Sequence, residues 1–308
     1  MLYNSIYECV GNTPMFRLHR MENLCNLKGK LLVKLESMNP TGSAKDRAAL
    51  YMLRDAFQEG KINQDTVIIE PTSGNTGVAL AAFCASSGLR VIFTMPENMS
   101  YERQLILKAY GAELVLTPKE GGMAASIEKA NELKQSIPNA WIPDQFSNSS
   151  NKLAHEETTG PEILRDTNGN VDIFIAGVGT GGTFSGTSAY LKKNIPHIRT
   201  IGVEPKNSPF LSEGKKGVHG LMGIGAGFEP GNFDRKFCDE IFTVSEEDAY
   251  EAARNLAKTE GILCGISSGA ALYCGITFAQ KPENTGKTIV VILPDTGERY
   301  LSTPLFSS

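Results

Sequence analysis

The chain has 308 residues, of which 41% are hydrophobic and 21% charged, and a formal net charge of −4. That length accommodates two domains, or one large one, with substantial cores, and the acidic balance without any dense Lys/Arg run excludes a polyanion binder such as a nucleic-acid protein. No apolar stretch approaches the roughly 18–20 residues of a membrane span, and the opening Met1-Leu2-Tyr3-Asn4-Ser5 lacks the basic and apolar regions of a signal peptide.

Leu31-Leu32-Val33-Lys34-Leu35 reads as a buried strand, closed by the turn signals Asn39-Pro40 and Thr41-Gly42. Ala48 to Phe57 has helical spacing, with Leu50, Leu53 and Phe57 on one face. Ser43 is expected to cap this helix, with Asp46 three residues on in a capping-box-like start. Lys45 then lies in the first turn, at the positive end of the helix dipole. An ammonium is disfavoured there, so free amine becomes accessible, which suits Schiff-base chemistry.

Strand-like runs and helical stretches then alternate. Val67–Glu70 precedes a glycine loop and the helical Val78–Ser86; Val91–Thr94 leads to Tyr101–Tyr110, and Ala112–Leu116 to Met123–Ser136. Further on stand Ile173–Ala176, Thr200–Val203 and Ile289–Leu293, with helices between them. Such alternation predicts βαβ units, that is, α/β architecture with mainly parallel sheets covered on both faces. The polar Ser147–Asn151 is a plausible boundary between two such domains.

Six scattered cysteines without a Cys-x-x-Cys pair read as reduced, mostly buried thiols of a cytoplasmic protein. Four dispersed histidines give no metal-ligand spacing, and His155-Glu156-Glu157 reads as an exposed helix, so no metal is expected.

Three loops between a strand and a helix could carry chemistry. Pro71-Thr72-Ser73-Gly74-Asn75-Thr76-Gly77 offers hydroxyls, an amide and backbone N–H groups at a helix start, a cradle for a carboxylate or phosphate. Gly177-Val178-Gly179-Thr180-Gly181-Gly182-Thr183 satisfies Gly-x-Gly-x-x-Gly, and Glu204 follows Gly182 by 22 residues, formally a dinucleotide fingerprint that makes an oxidoreductase a rival reading. A glycine cup at a helix dipole would serve a single phosphate monoester equally well. Gly265-Ile266-Ser267-Ser268-Gly269 fits the nucleophile elbow of serine hydrolases, but no histidine follows His219 to complete the triad order Ser, Asp/Glu, His. A Walker A loop fails too, because Lys281 stands where Gly286-Lys287-Thr288 would need a glycine.

A Schiff-base lysine, a phosphate cup, a carboxylate cradle and a serine at a helix start together describe a pyridoxal 5′-phosphate (PLP) site. A neutral serine facing the ring nitrogen leaves that nitrogen largely unprotonated, which suits β-elimination.

On these motifs the sequence resembles the cysteine synthases (O-acetylserine sulfhydrylases) of the cysteine synthase/cystathionine β-synthase family, fold-type II PLP enzymes with a tryptophan-synthase-β-like fold. The resemblance runs from Val10-Gly11-Asn12-Thr13-Pro14 to Asp295–Thr303 and rests on NPTGSAKDR at 39–47, TSGNTG at 72–77, GVGTGGT at 177–183, GIGAGF at 223–228 and GISSGAA at 265–271. It implies that Lys45 forms the internal aldimine and acts as the proton-transfer base, and that Asn75 bonds the cofactor's ring oxygen. Thr72, Ser73, Thr76 and Gln145 would hold the substrate carboxylate, and Gly179, Thr180, Gly181, Gly182 and Thr183 the phosphate. Ser268, rather than Ser267, would meet the ring nitrogen, and Gly225 lies in a loop lining the substrate entrance. Implied too are β-replacement through an α-aminoacrylate, with O-acetylserine and sulfide giving cysteine and acetate, and a homodimer able to bind serine acetyltransferase. The implied domains are a smaller mobile one (1–12 and 35–147) and a larger one (13–34 and 148–308), with PLP in the cleft between them.

Two departures bear on substrate choice. Gly217-Val218-His219-Gly220-Leu221-Met222 replaces the family's Gly-Pro-His-Lys-Ile-Gln, and Gln104 stands where a second arginine is common. Cysteine or serine as substrate, with release of sulfide or formation of lanthionine or cystathionine, is the alternative reading. The 72–77 loop and the 294–303 tail favour a synthase over a serine or threonine dehydratase.

Overall fold

The apolar runs build two sheets in a computed structural model that describes residues 2–307. In chain order, β1 (Met15–Arg17), α1 (His19–Leu24) and β2 (Lys30–Leu35) come first, followed by α2 (Lys45–Gln58), β3 (Val67–Pro71) and α3 (Asn75–Ser87). Next are β4 (Arg90–Pro96), α4 (Tyr101–Ala109), β5 (Glu113–Thr117), α5 (Gly122–Ser136), β6 (Ala140–Trp141) and α6 (Ser149–Ala154). A π-helical turn, His155–Thr159, joins α6 to α7 (Gly160–Asp166). The chain continues through β7 (Ile173–Gly177), α8 (Gly182–Asn194), β8 (Arg199–Pro205), α9 (Phe210–Glu213) and β9 (Glu240–Val244), and ends with α10 (Glu246–Glu260), α11 (Ile266–Gln280) and β10 (Thr288–Leu293).

The chain divides into two compact units, one of Met1–Val10 and Lys45–Asn151, the other of Gly11–Ala44 and Lys152–Ser308. The first holds a four-stranded parallel sheet in the order β5-β4-β3-β6. The second holds six strands in the order β1-β2-β10-β7-β8-β9, all parallel except β1, which runs antiparallel to β2.

Both sheets are apolar on two faces, which is why their strands read as continuous runs rather than as alternation with polar residues. In β10, Ile289, Val291 and Leu293 enter one core of the larger unit while Val290 and Ile292 enter the other. In β3, Ile68 faces one core and Val67 and Ile69 the opposite one. Each such side chain contributes about 1.5–3 kcal/mol on burial.

Residues 35–44 belong to the second unit, where the sequence reading set them in the smaller domain. The reason is continuous pairing: β2 runs parallel to β10 as far as Leu35 opposite Leu293, Ser43 bridges to Asp295, and Ala44 N–H donates to Pro294 O at 2.8 Å. On α2, Leu53 lies in the core of the first unit with Ala49 and Ala56, and the half-buried Leu50 and Phe57 pack against that core, as their spacing predicts. The cysteines are free; Cys84, Cys264 and Cys274 are buried, and Cys9, Cys25 and Cys238 are partly exposed. Burial pushes the Cys84 thiol up to about 12 and raises Cys264 and Cys274 as well, so these three are poor nucleophiles. Among the described residues no helix is long and apolar enough to cross a membrane.

Candidate active site

Helix α2 starts on Lys45 itself, so the lysine is the first helical residue, half-buried, with Asp46 and Arg47 buried behind it. Ser43 stands two residues before the helix, fully buried, and its backbone bridges to Asp295.

In the same unit, the loop after β3 leads into α3, whose N-cap is Gly74 and whose first turn carries no acidic residue. Thr72 and Thr76 are buried, whereas Ser73 and Asn75 are half-buried. Gly74 N–H donates to Thr72 Oγ1 at 3.3 Å, and Ser73 Oγ lies 2.9 Å from Met99 Sδ. Gln104, one of the two departures, donates its amide to Met99 O at 3.0 Å, so it braces the segment that Ser73 rests on. Thr76 Oγ1 donates to Gln145 Oε1 at 2.5 Å, which joins two residues read from the sequence as carboxylate ligands 69 positions apart.

Gln145 is held from both sides. Asn151 Nδ2 donates to its carbonyl at 2.7 Å, and its own N–H donates to the buried carboxyl of Glu70 at 3.3 Å, beside that of Asp144 at 3.1 Å. Sequence reasoning saw Glu70 only as the end of a strand. Burial lifts its carboxyl from the ordinary range to about 8, although the two N–H bonds favour the charged form. Since the folded value lies above the unfolded one, this contribution to stability is full below about pH 4.5 and is lost as the pH rises to about 8. Between those limits its slope is about −1.4 kcal/mol per pH unit. Glu70→Gln is therefore expected to flatten the fall of urea stability between pH 5 and 8; equal slopes for the two proteins would contradict this.

In the second unit, the β7–α8 loop delivers backbone N–H groups to the start of α8. Its N-cap is Gly181 at φ +87°, and its first turn has no acidic residue. A Cβ at Gly181 would sit 2.5 Å from Phe233 N, so the left-handed conformation and the close approach both require glycine. Gly179, Gly182 and Thr183 complete the loop with the buried Thr180. Gly225 is tied to the same loop, donating its N–H to Val178 O at 3.0 Å, while its carbonyl lies 2.9 Å from His219 Nε2. Ser268 is fully buried in the first turn of α11, with Oγ 3.4 Å from Asp295 O.

The residue that kept the dinucleotide reading open has another task. Glu204 is buried and accepts the N–H groups of Leu211 and Ser212 at 2.8 and 3.0 Å and the Ser212 hydroxyl at 2.5 Å. Its carboxylate caps α9 instead of standing ready for a ribose. His155 is a second correction: the turn expected to be exposed buries it to 1%.

The pyridoxal-phosphate dependent enzyme family matches residues 6–295. The chain belongs to this family. A cysteine synthase of Staphylococcus aureus is 50% identical over 305 residues, 99% of this chain and 97% of that protein. The crystal structure of cysteine synthase (OASS) from Entamoeba histolytica superposes with a TM-score of 0.97 at 44% identity, covering 100% of this chain and 92% of that one. A hydrogen sulfide-producing enzyme from Fusobacterium nucleatum matches at TM-score 0.92 and 44% identity, over 97% and 100% of the two chains. Membership makes this chain a PLP-dependent enzyme of fold type II, and its residues suit that cofactor. An amine opens α2, and a glycine-restricted loop free of acidic side chains opens α8, where backbone N–H groups and the helix dipole would favour a phosphate.

Proposed function

We propose that the chain catalyses β-replacement on a small L-amino acid, converting O-acetyl-L-serine and sulfide to L-cysteine and acetate. The observation that carries this reading is a relative at 50% identity over 99% of the chain that is itself a cysteine synthase, combined with the lysine that opens α2. When bound, PLP supplies an aldehyde for amines and an electron-withdrawing ring that stabilises negative charge at an amino acid's α-carbon.

The residues divide the remaining work. Lys45 Nζ would hold the cofactor, and its free amine would take the α-proton of the substrate and return a proton to the product. Thr72, Ser73, Thr76 and Gln145 bind the substrate carboxylate, and the Thr76–Gln145 hydrogen bond preorganises that cradle. Asn75 donates to the ring oxygen and Ser268 faces the ring nitrogen. Gly179, Thr180, Gly181, Gly182 and Thr183 hold the phosphate, and Gly225 lines the substrate entrance. Glu70 acts indirectly, by fixing the backbone of Gln145.

The same reading extends to a cytoplasmic homodimer that can accept the C-terminal tail of serine acetyltransferase in its carboxylate cradle. Sulfide release from cysteine is the second reading, favoured by the Fusobacterium enzyme and by the 217–222 segment, where Val218 is 96% exposed and Met222 43%. Visible absorbance separates the two readings. O-acetylserine is expected to shift the cofactor band and sulfide to restore it; a comparable shift with cysteine, with sulfide released, would favour the second.

A further inference from the structure

We propose that His155 is a positioning residue for the phosphate end of PLP, fixing the direction in which Thr183 points its hydroxyl proton. The proposal rests on the reading that residues 179–183 hold the phosphate. His155 is 1% exposed and lies on the π-helical turn that precedes α7. Its Nδ1 is 2.8 Å from Oγ1 of the fully buried Thr159, and its Nε2 is 3.1 Å from Thr183 Oγ1. The turn reaches α8 because Gly186 is a glycine: a Cβ there would sit 2.1 Å from Lys152 O and 3.0 Å from His155 Cβ. A π-helical turn costs hydrogen-bond geometry and is found most often at functional sites. Here it carries the imidazole to the helix start that forms the phosphate cup.

Proton counting gives the contact a direction. A phosphate oxygen only accepts, and a threonine hydroxyl has one proton to give. For Thr183 to donate to the phosphate while bonded to His155, its oxygen must accept from Nε2–H, and in the neutral imidazole Nδ1 then accepts from the Thr159 hydroxyl. In the other tautomer the Thr183 proton points at Nε2 and its lone pairs face the anion. The phosphate therefore selects the Nε2–H tautomer, Thr159 complements it by donating to Nδ1, and the buried imidazole holds Thr183 as a donor.

The test is reconstitution of the full-length apoenzyme with PLP and, separately, with pyridoxal, which lacks the phosphate, together with the ³¹P resonance of bound PLP. His155→Leu is expected to weaken PLP about tenfold, the effect of losing a hydrogen bond that supports a charged acceptor, and to leave pyridoxal unchanged. His155→Gln, which keeps an N–H donor, is expected to recover most of that loss. Thr159→Val is expected to weaken PLP about threefold and to move the ³¹P resonance, although Thr159 is assigned no part in the phosphate cup. Equal loss of PLP and pyridoxal in His155→Leu would mean a packing role and overturn the proposal, as would no loss of either. Should His155→Leu not fold, an unmoved resonance and unchanged affinity in Thr159→Val would overturn it on their own. Thr183→Val separates the two levels. If it leaves PLP affinity unchanged, the phosphate assignment fails; if it weakens PLP while the His155 and Thr159 variants do not, only the relay fails.

Discussion

Lys45→Ala is expected to lower turnover about 10⁴-fold or more, the combined cost of losing a covalent attachment and a general base. The variant should still fold. Alanine is the best helix former, and the site is the half-buried first residue of a 14-residue helix whose buried apolar residues lie farther along, at Ala48, Ala49, Tyr51, Met52, Leu53 and Ala56. PLP should still bind through the α8 loop, but without its covalent link, so loss of turnover and retention of cofactor are read on one sample. Lys45→Arg should be equally inactive, since a guanidinium does not release a proton to become a nucleophile. Steady-state kinetics and thermal unfolding check both variants. An Ala variant that retains a tenth of wild-type turnover would remove Lys45 from the chemistry.

Gly181→Ala is expected to have the second-largest effect, and to concentrate it on the phosphate end. At φ +87° a side chain costs about 1–2 kcal/mol, and a Cβ 2.5 Å from Phe233 N and 2.7 Å from Phe233 Cα forces backbone apart for about 1–3 kcal/mol more. Neither obstacle is the flexible end of a side chain, so relaxation must move either the cup or the Asn232-Phe233 segment. PLP affinity should fall by about two orders of magnitude and the unfolding midpoint should drop with it. Fluorescence titration of the apoenzyme measures the first, and calorimetry the second. A variant with unchanged PLP affinity would mean that the loop does not grip the phosphate.

The legible parts of this protein are those whose signal is local. β3, β7 and β10 carry continuous apolar runs because both faces of each sheet are covered, whereas Lys34 interrupts β2 and Thr200 and Gly202 interrupt β8. The loops at 72–77 and 177–183 announce themselves through glycine and hydroxyl content at strand-to-helix junctions. Other residues take their role from partners that their own stretch of sequence does not reveal. Glu70 is meaningful only beside the N–H groups of Asp144 and Gln145, 74 and 75 positions on. His155 looks like part of a polar helix, and only the π-helical turn and the glycine at 186 bury it against Thr183. Glu204 has the spacing of a ribose ligand, but a short helix seven positions on takes its carboxylate. The short strands β1, β6 and β9 left no pattern, since two to five residues carry too little periodicity to separate strand from loop.

Lys45, the residue that opens α2, is the proposed point of attachment of the cofactor. Borohydride reduction of the purified protein, followed by proteolysis and peptide mass spectrometry, tests it most directly. A phosphopyridoxyl group is expected on the peptide containing Lys45, absent once the enzyme has been treated with O-acetylserine before reduction. A label on any other lysine, or none on a protein loaded with PLP, would contradict it.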